Sequence, residues 1–244
     1  MKNFNLQLLL ALALLAFFPS CSKDDDTDDN VVITVNDAAE LVAASMAIAT
    51  YGAVSNMNYV SDQIVDILDC NESESETRSD TETSINGEVM VSFTISESYS
   101  LACSGGEEEI NYIFTADQTT TSNPLDTDHS ISGNWIISGA ESTSSVLTYN
   151  GSYSRGGEWI YNNADDHTDN TTTSFVYKDV KANKDDGVIF EGTSTFALNG
   201  TSTVYDPYSY EGDIVFQAGN ICVATFATGE QYKIDLNTGD VTPL

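Results

Sequence analysis

The sequence predicts a mainly β domain of the α+β class, with helical structure confined to its start. Between residues 38 and 67, apolar residues recur every three or four positions, which indicates helix. From residue 89 onward, apolar and polar residues alternate, and turn signals separate the alternating segments. No pattern of helix length lies between these later segments. An antiparallel meander is therefore favoured over a sheet with parallel crossovers.

The helical part is expected to begin at Ala38, after a capping Asn36 or Asp37. Gly52 lies in the middle of the apolar stripe and is expected to divide it into two helices. The stripe consists of Val42, Met46, Ala49, Ala53, Met57, Val60, Ile64 and Ile67. The segment that follows, NESESETRSDTETS at 71–84, is expected to be a polar, acidic loop.

About eleven strands are expected after the helices. The first follows alternating apolar residues from Val89 to Cys103, with Glu97 in the apolar phase, and the second returns over 110–116. The others are expected around 131–138, 146–155, 158–162, 174–180, 188–198, 201–205, 213–217, 221–227 and 231–236. Ser and Thr are abundant at the outward positions of these strands.

A sheet of this size must close, pack into two layers, or curl around the helices to cover their apolar face. The last arrangement resembles the unclosed barrel of the lipoprotein carriers of the periplasm. This resemblance lies in the order of the elements alone, and no shared motif accompanies it.

Composition limits the partners that the protein can have. The chain of 244 residues is 41% hydrophobic, which suits a single domain over residues 31–244. It carries 38 acidic residues against 8 basic ones, a formal net charge of −30. Nucleic acids and anionic membrane surfaces are therefore poor partners, because binding phosphate requires clustered Lys and Arg. No cofactor-binding motif is present, so we expect no cofactor.

The first twenty residues are typical of a bacterial signal peptide. Lys2 precedes an uncharged apolar run from Leu8 to Phe18, which is shorter than the ~20 residues needed to span a bilayer. The segment FFPSC at 17–21 resembles the lipobox of bacterial lipoproteins, although Phe18 and Ser20 replace its more usual residues. The resemblance implies cleavage after residue 20 and acylation of Cys21, so that acyl chains alone hold the protein to the membrane.

An acidic run follows Cys21 directly. The segment CSKDDD at 21–26 resembles the surface-export signal of Bacteroidota lipoproteins. The resemblance implies an outer-membrane lipoprotein that faces outward. Residues 21–30 are expected to be a solvated tether, because their low hydrophobicity and high charge prevent packing.

The other three cysteines suggest one disulfide bond. Cys70 closes the predicted helix and Cys103 closes the first predicted strand, each beside polar sequence. Export from the cytoplasm permits a bridge between them. Cys222 lies within an apolar strand and is expected to be a buried free thiol.

The chain offers no recognisable catalytic or metal-binding motif. His129 and His167 are assigned to polar loops and are expected to be solvated. The best cation candidate is Asp165, Asp166 and Asp169, because carboxylate oxygens are preferred calcium ligands. The spacing does not match an EF-hand, and a solvated acidic loop is the favoured interpretation.

A cluster of tyrosines is the candidate ligand contact. Tyr205, Tyr208 and Tyr210 flank Pro207, and tyrosines on a turn offer contact area for a glycan or a protein. The simpler interpretation, which is favoured, is that Pro207 breaks a strand and the tyrosines pack onto the sheet.

Three functions remain open from the sequence. The leading one is a non-enzymatic surface module that binds a protein or glycan or is merely displayed. The alternatives are a carrier of an apolar ligand held between helix and curled sheet, and a hydrolase with an unidentified acidic site. An exposed tyrosine patch would support the first, a deep apolar cavity the second, and acids converging in a cleft the third.

Overall fold

The computed structural model describes residues 33–65, 69–83, 89–122, 125–161 and 167–244. The helical part comprises α1 (Val35–Met46), a 3-10 helix (Ile48–Thr50), α2 (Ala53–Tyr59) and a π-helix (Val60–Ile64). The strands are β1 (Ser73–Thr83), β2 (Met90–Ser104), β3 (Glu107–Thr121), β4 (Leu125–Ser138), β5 (Val146–Tyr161), β6 (His167–Asn183), β7 (Ile189–Ser202), β8 (Tyr208–Gln217), β9 (Ile221–Phe226), β10 (Gln231–Asp235) and β11 (Val241–Pro243). The predicted mainly β, α+β class is confirmed.

The eleven strands form one antiparallel sheet in which spatial order follows chain order. Among the described residues, β1 pairs only with β2 and β11 pairs only with β10. The predicted antiparallel meander is confirmed, and of the three arrangements left open by the sequence the structure shows an unclosed sheet.

The helical segment contacts both ends of this sheet. The backbone N–H of Ile48 donates to the carbonyl of Leu236, next to β10, at 2.8 Å. On the opposite side, the hydroxyl of Tyr51 donates to Glu82 of β1 at 2.8 Å. The helices thus lie between the two edges of the sheet, and the sheet curls around them.

The core lies between the helices and the inner face of the sheet. Val42, Met46, Met57, Val60 and Ile64 of the predicted helical stripe are all 0–1% exposed. On the sheet side, the Trp135 ring is fully buried, with centroids of Phe114, Tyr112 and Tyr149 at 5.2, 5.9 and 5.9 Å. Burial of each large side chain contributes roughly 1.5–3 kcal/mol to folding.

The first helix begins earlier than predicted. Helix α1 starts at Val35, and Thr34 caps it by accepting a hydrogen bond from the backbone N–H of Asp37. The Asp37 carboxylate in turn accepts a hydrogen bond from the backbone N–H of Thr34, which completes a capping box. Asn36 and Asp37 therefore lie inside the helix, and the prediction of a start at Ala38 was wrong.

Gly52 divides the helical segment, as predicted. It is the N-cap of α2, and a Cβ at this position would lie 2.5 Å from the carbonyl carbon of Met46. Only glycine lets the chain return so close to the end of α1.

The predicted loop at 71–84 was wrong, because β1 occupies most of it. The segment has no apolar alternation, but it alternates small hydroxyl side chains with charged ones. The hydroxyls of Thr77, Ser79 and Thr81 bond to outward hydroxyls of β2 at 2.9–3.0 Å. Because β1 is an edge strand, charged side chains on it are compatible with pairing.

Two predicted strand breaks were also wrong. Gly156 and Gly157 lie within β5, and Asn199 and Gly200 lie within β7. The ring of Tyr208 packs against Gly200, where a Cβ would lie 2.1 Å from it. Gly200 therefore makes room for a side chain on the neighbouring strand and does not form a hairpin turn. The expected count of eleven strands was met because β1 and β11, which the prediction missed, offset these two mergers.

The outward positions of the sheet carry Ser and Thr, as expected. One row of paired positions runs across six strands and is made of Thr77, Ser96, Thr115, Ser132, Ser154 and Ser174. This regular hydroxyl surface explains how so many strand residues are polar without interrupting the core.

The predicted disulfide bond is confirmed. Cys70 and Cys103 are joined with a Cα–Cα distance of 5.6 Å, and Cys222 is free and fully buried. The bridge ties the approach to β1 to the end of β2. Burial raises the pKa of the Cys222 thiol, which keeps it protonated and unreactive.

Candidate functional site

The main concave feature is a cleft of about 550 Å³ between the helical segment and the inner face of β1–β4, here called the edge cleft. Its helical side consists of Ile48, Tyr51, Ser55, Asn56, Asn58, Tyr59, Asp62 and Gln63. Its sheet side consists of Arg78, Asp80, Glu82, Phe93, Ile95, Ala116, Gln118 and Ile131. The turn at 48–52 and the helix α2 that follows it border the cleft.

The floor of the edge cleft is mostly apolar. Phe93 and Ile95 on β2, Ala116 on β3 and Ile131 on β4 occupy inward positions of adjacent strands. Ile95 and Ile131 are only 3% and 5% exposed. A ligand in the cleft would therefore meet an apolar surface at its inner end.

Gln118 is the polar exception in this floor. Its side chain is 3% exposed, and no side chain in the described part of the chain is hydrogen-bonded to its amide. The amide is not among the fully buried polar groups that lack a partner, so what remains exposed of it faces the cleft. Gln118 is therefore the residue of the floor that can exchange hydrogen bonds with a ligand.

One wall of the cleft is aromatic. The rings of Tyr51 and Phe93 have centroids 6.1 Å apart and are tilted by 38°. Burial raises the pKa of Tyr51, and its bond to Glu82 adds to this, so the hydroxyl remains a donor. Burial likewise raises the pKa of the Glu82 carboxyl, while the hydrogen bond from Tyr51 opposes that change.

Arg78 of β1 lies beside this aromatic wall and is joined to β2 through Glu97. Its guanidinium carbon lies 3.9 Å from the centroid of the Tyr59 ring and 5.7 Å from that of Phe93. Its Nε donates to Oε1 of Glu97 at 2.9 Å, and Tyr112 donates its hydroxyl to the other oxygen of Glu97. Glu97, the charged residue within the apolar phase of the sequence, is thus held by two donors.

A buried polar cluster adjoins the floor of the cleft. His129 is paired across the strands with Gln118 and is 1% exposed. Arg155, 4% exposed, donates to Nδ1 of His129 and to the backbone carbonyls of Ala44 and Thr50. Burial and the charge of Arg155 lower the pKa of His129 to about 2, so its ring is neutral.

Both histidine predictions were wrong. His129 lies within β4 and faces the core, because the strand begins at Leu125, six residues before the alternation that was recognised at 131–138. His167 begins β6, is half-buried and stacks on Tyr161 with ring centroids 4.1 Å apart. In retrospect, the alternation Leu125, Thr127, His129, Ile131 in the sequence is the signal for the longer strand.

The tyrosine cluster does not form an exposed patch. Tyr208 is 6% exposed at the start of β8, and the hydroxyl of Tyr210 donates to the carbonyl of Ile33 at 2.5 Å. Tyr205 is half-buried, with its ring centroid 6.1 Å from that of His167. The strand break at Pro207 and the packing of the tyrosines onto the sheet agree with the simpler interpretation.

The calcium candidate lies only partly within the described residues. Asp165 and Asp166, like Cys21 and the tether at 21–30, lie outside them. Asp169 is described, faces inward on β6 at 7% exposure, and burial raises the pKa of its carboxyl. In the described ranges, the one group of three metal-ligating residues is Cys70, Cys103 and Glu108, whose sulfurs are bonded to each other.

The comparisons with known proteins give no family. The chain matches no family model, no curated protein and no solved structure. No helix in the described part of the chain combines the length and the hydropathy needed to cross a membrane.

Proposed function

We propose that the protein is a non-enzymatic binding module, anchored in the outer membrane by lipid at Cys21 and exposed at the cell surface, and that the edge cleft holds its ligand. The anchor and the outward location are supported by the lipobox-like segment FFPSC and the acidic run after Cys21. The binding function is supported by the cleft, whose volume of about 550 Å³ falls within the ~300–1,000 Å³ of small-molecule sites.

The contrast between the cleft and the rest of the interior supports this location for the site. The described residues of the helical stripe are buried, so close packing leaves little room there. In the cleft, an apolar floor lies beside convergent polar groups, including Gln118, Arg78 and Tyr51. Apolar surface with a few directed polar groups is the usual composition of a ligand site.

A carrier of an apolar ligand is the second candidate. The observation that favours it is the apolar floor, in which Phe93, Ile95 and Ile131 line the cleft. A purely apolar ligand is disfavoured, because it would bury the polar groups of Gln118 and Arg78 without providing hydrogen-bond partners.

A hydrolase is less well supported, although three acids line the cleft. Asp62 and Asp80 are exposed, and the Glu82 carboxylate accepts a hydrogen bond from Tyr51. Acid–base catalysis requires an acid and a base held on either side of an enclosed bond. Among the residues that the structure describes, the floor, where a bound molecule would be enclosed, carries no carboxylate.

Native mass spectrometry of the full-length protein in a mild detergent tests the proposal. The protein is incubated with a small-molecule extract of the cells that produce it. We expect a stoichiometric bound mass that disappears in Ala116→Phe, which fills the cleft floor. The matched control is Thr115→Phe, the next residue on the same strand, which faces outward and should retain the ligand. A bound mass that Ala116→Phe retains, or no bound mass, would contradict the proposal.

A further inference from the structure

We infer that the ligand of the edge cleft is a neutral polyhydroxylated molecule with one apolar face, the chemistry of a pyranose sugar. The inference rests on the function proposed above and adds the class of ligand. Three features of the cleft lead to it: the distribution of charge, the amide in the floor, and the aromatic wall.

The charges of the cleft disfavour anions and hold a cation only weakly. Asp62, Asp80 and Glu82 repel anions, and the chain as a whole carries a formal charge of −30. A cation would be attracted to Asp62 and Asp80, but both are exposed at the mouth, where water and salt screen them.

The more buried charges of the cleft already have partners. The guanidinium of Arg78 is paired with the buried Glu97, and the Glu82 carboxylate accepts a hydrogen bond from Tyr51. Neither group therefore requires an ionic partner, and a neutral ligand fits the cleft without one.

The amide of Gln118 suits a ligand that both donates and accepts hydrogen bonds. The amide has one oxygen that accepts and one nitrogen that donates twice, and it is 3% exposed. A hydroxyl group both donates and accepts, so two neighbouring hydroxyls can satisfy both ends of the amide. At the mouth, the Asp80 carboxylate can accept hydrogen bonds from a ligand, and the amides of Asn56 and Gln63 can both donate and accept them.

The aromatic wall beside the amide is suited to an apolar ring face, and Phe93 is the cross-strand neighbour of Gln118. Tyr51 and Phe93 present adjacent tilted rings on the cleft, and both side chains are half-buried. The C–H face of a pyranose can pack on such rings, while its equatorial hydroxyls point sideways toward polar groups. The apolar side chains of Ile95 and Ile131 continue this surface into the floor.

Isothermal titration calorimetry on the full-length protein in detergent tests the inference. The sugar probes are the methyl glycosides of glucose, galactose, mannose and N-acetylglucosamine. The comparison probes are spermidine as a cation, citrate as an anion and oleate as an apolar ligand. We expect saturable binding of at least one methyl glycoside and of none of the comparison probes.

Two glutamine variants distinguish the loss of a ligand contact from a loss of folding. Gln118→Leu keeps the volume of the floor and should weaken sugar binding tenfold or more, with the melting temperature unchanged or raised. Gln217→Leu, at the exposed end of β8, is the matched control and should bind with wild-type affinity.

The outcomes that overturn the inference differ from those that overturn the proposed function. Binding of spermidine, citrate or oleate that Ala116→Phe abolishes would show a functional cleft with a different ligand class. Failure of all the methyl glycosides to bind would also reject the sugar class. Sugar binding that Ala116→Phe leaves intact would place the site elsewhere, and the proposed function of the cleft would fail as well.

Discussion

The Nε of Arg78 on the edge strand lies 2.9 Å from Oε1 of Glu97, whose side chain is fully buried on β2. Glu97 is the charged residue that the alternation of β2 places among apolar neighbours, and Tyr112 donates a hydrogen bond to its second oxygen. The ion pair therefore joins β1, which has no apolar core residues, to the inner face of the sheet. It also orients Arg78 over Tyr59 at the wall of the edge cleft.

Removing Arg78 should destabilise the protein. In Arg78→Met, the buried carboxylate of Glu97 loses its cation, and we expect the free energy of unfolding to fall by ~3 kcal/mol. The double variant Arg78→Met, Glu97→Leu removes both charges and should recover most of this loss. Urea denaturation followed by circular dichroism measures both. Equal destabilisation in the single and double variants would show that the loss comes from packing and not from the unpaired carboxylate.

The periodicity of apolar residues predicted those elements in which burial alone determines whether a position is apolar or polar. The inward apolar residues of β2 and β3 and the stripe of α1 and α2 could be recognised for this reason. β1 could not, because its inward residues are charged and are accommodated by tyrosines and Glu97 on other elements. Such compensation depends on tertiary contacts that no local pattern contains.

The residues of the edge cleft were not predicted for the same reason, although the carrier alternative placed a ligand between helix and sheet. The cleft is lined by residues such as Gln118 and Tyr51 that come from separate elements. The disulfide bond, in contrast, could be predicted, because few cysteines were available and both lay at the ends of elements.

Loss of the Cys70–Cys103 bond should lower stability substantially. The bond spans a sequence separation of 33 residues and restrains the segment that forms β1 when the chain is unfolded. In the chain-entropy model this contributes ~3–4 kcal/mol, and Cys70→Ser, Cys103→Ser should lose about that amount. Dithiothreitol should lower the denaturation midpoint of the wild type and leave that of the double variant unchanged. A disulfide-linked peptide containing Cys222 in non-reducing peptide maps would contradict the assignment.

The lipid anchor can be tested independently of the fold. Cells supplied with a labelled fatty acid should incorporate the label into this protein, because the segment before Cys21 resembles a lipobox. Cys21→Ala should abolish the labelling and release the protein from the membrane fraction. Cys222→Ala is the matched control and should remain labelled. Retention of Cys21→Ala in the membrane fraction would show that another part of the chain holds the protein there.

The buried neutral ring of His129 should make stability depend on pH below about 6.5. Its pKa in the folded protein is lowered to about 2 by burial and by Arg155, whereas an unfolded histidine has a pKa of about 6.5. Above pH ~6.5 both states are neutral at this residue, and it adds no pH dependence. Below that pH the unfolded state binds a proton that the folded state does not, so the free energy of unfolding falls as the pH falls.

The variant His129→Gln isolates this contribution, because its side-chain oxygen can still accept a hydrogen bond from Arg155. Between pH 7 and pH 5 the wild type should lose about 2 kcal/mol relative to the variant, at ~1.4 kcal/mol for each pH unit below 6.5. Comparing the two proteins at each pH cancels the contributions of the many carboxylates that they share. Urea denaturation at several pH values measures the difference, and the NMR signals of the His129 ring report its protonation directly. A ring that titrates near pH 6.5 in the folded protein, or parallel stability profiles for the two proteins, would show that His129 can be protonated without unfolding.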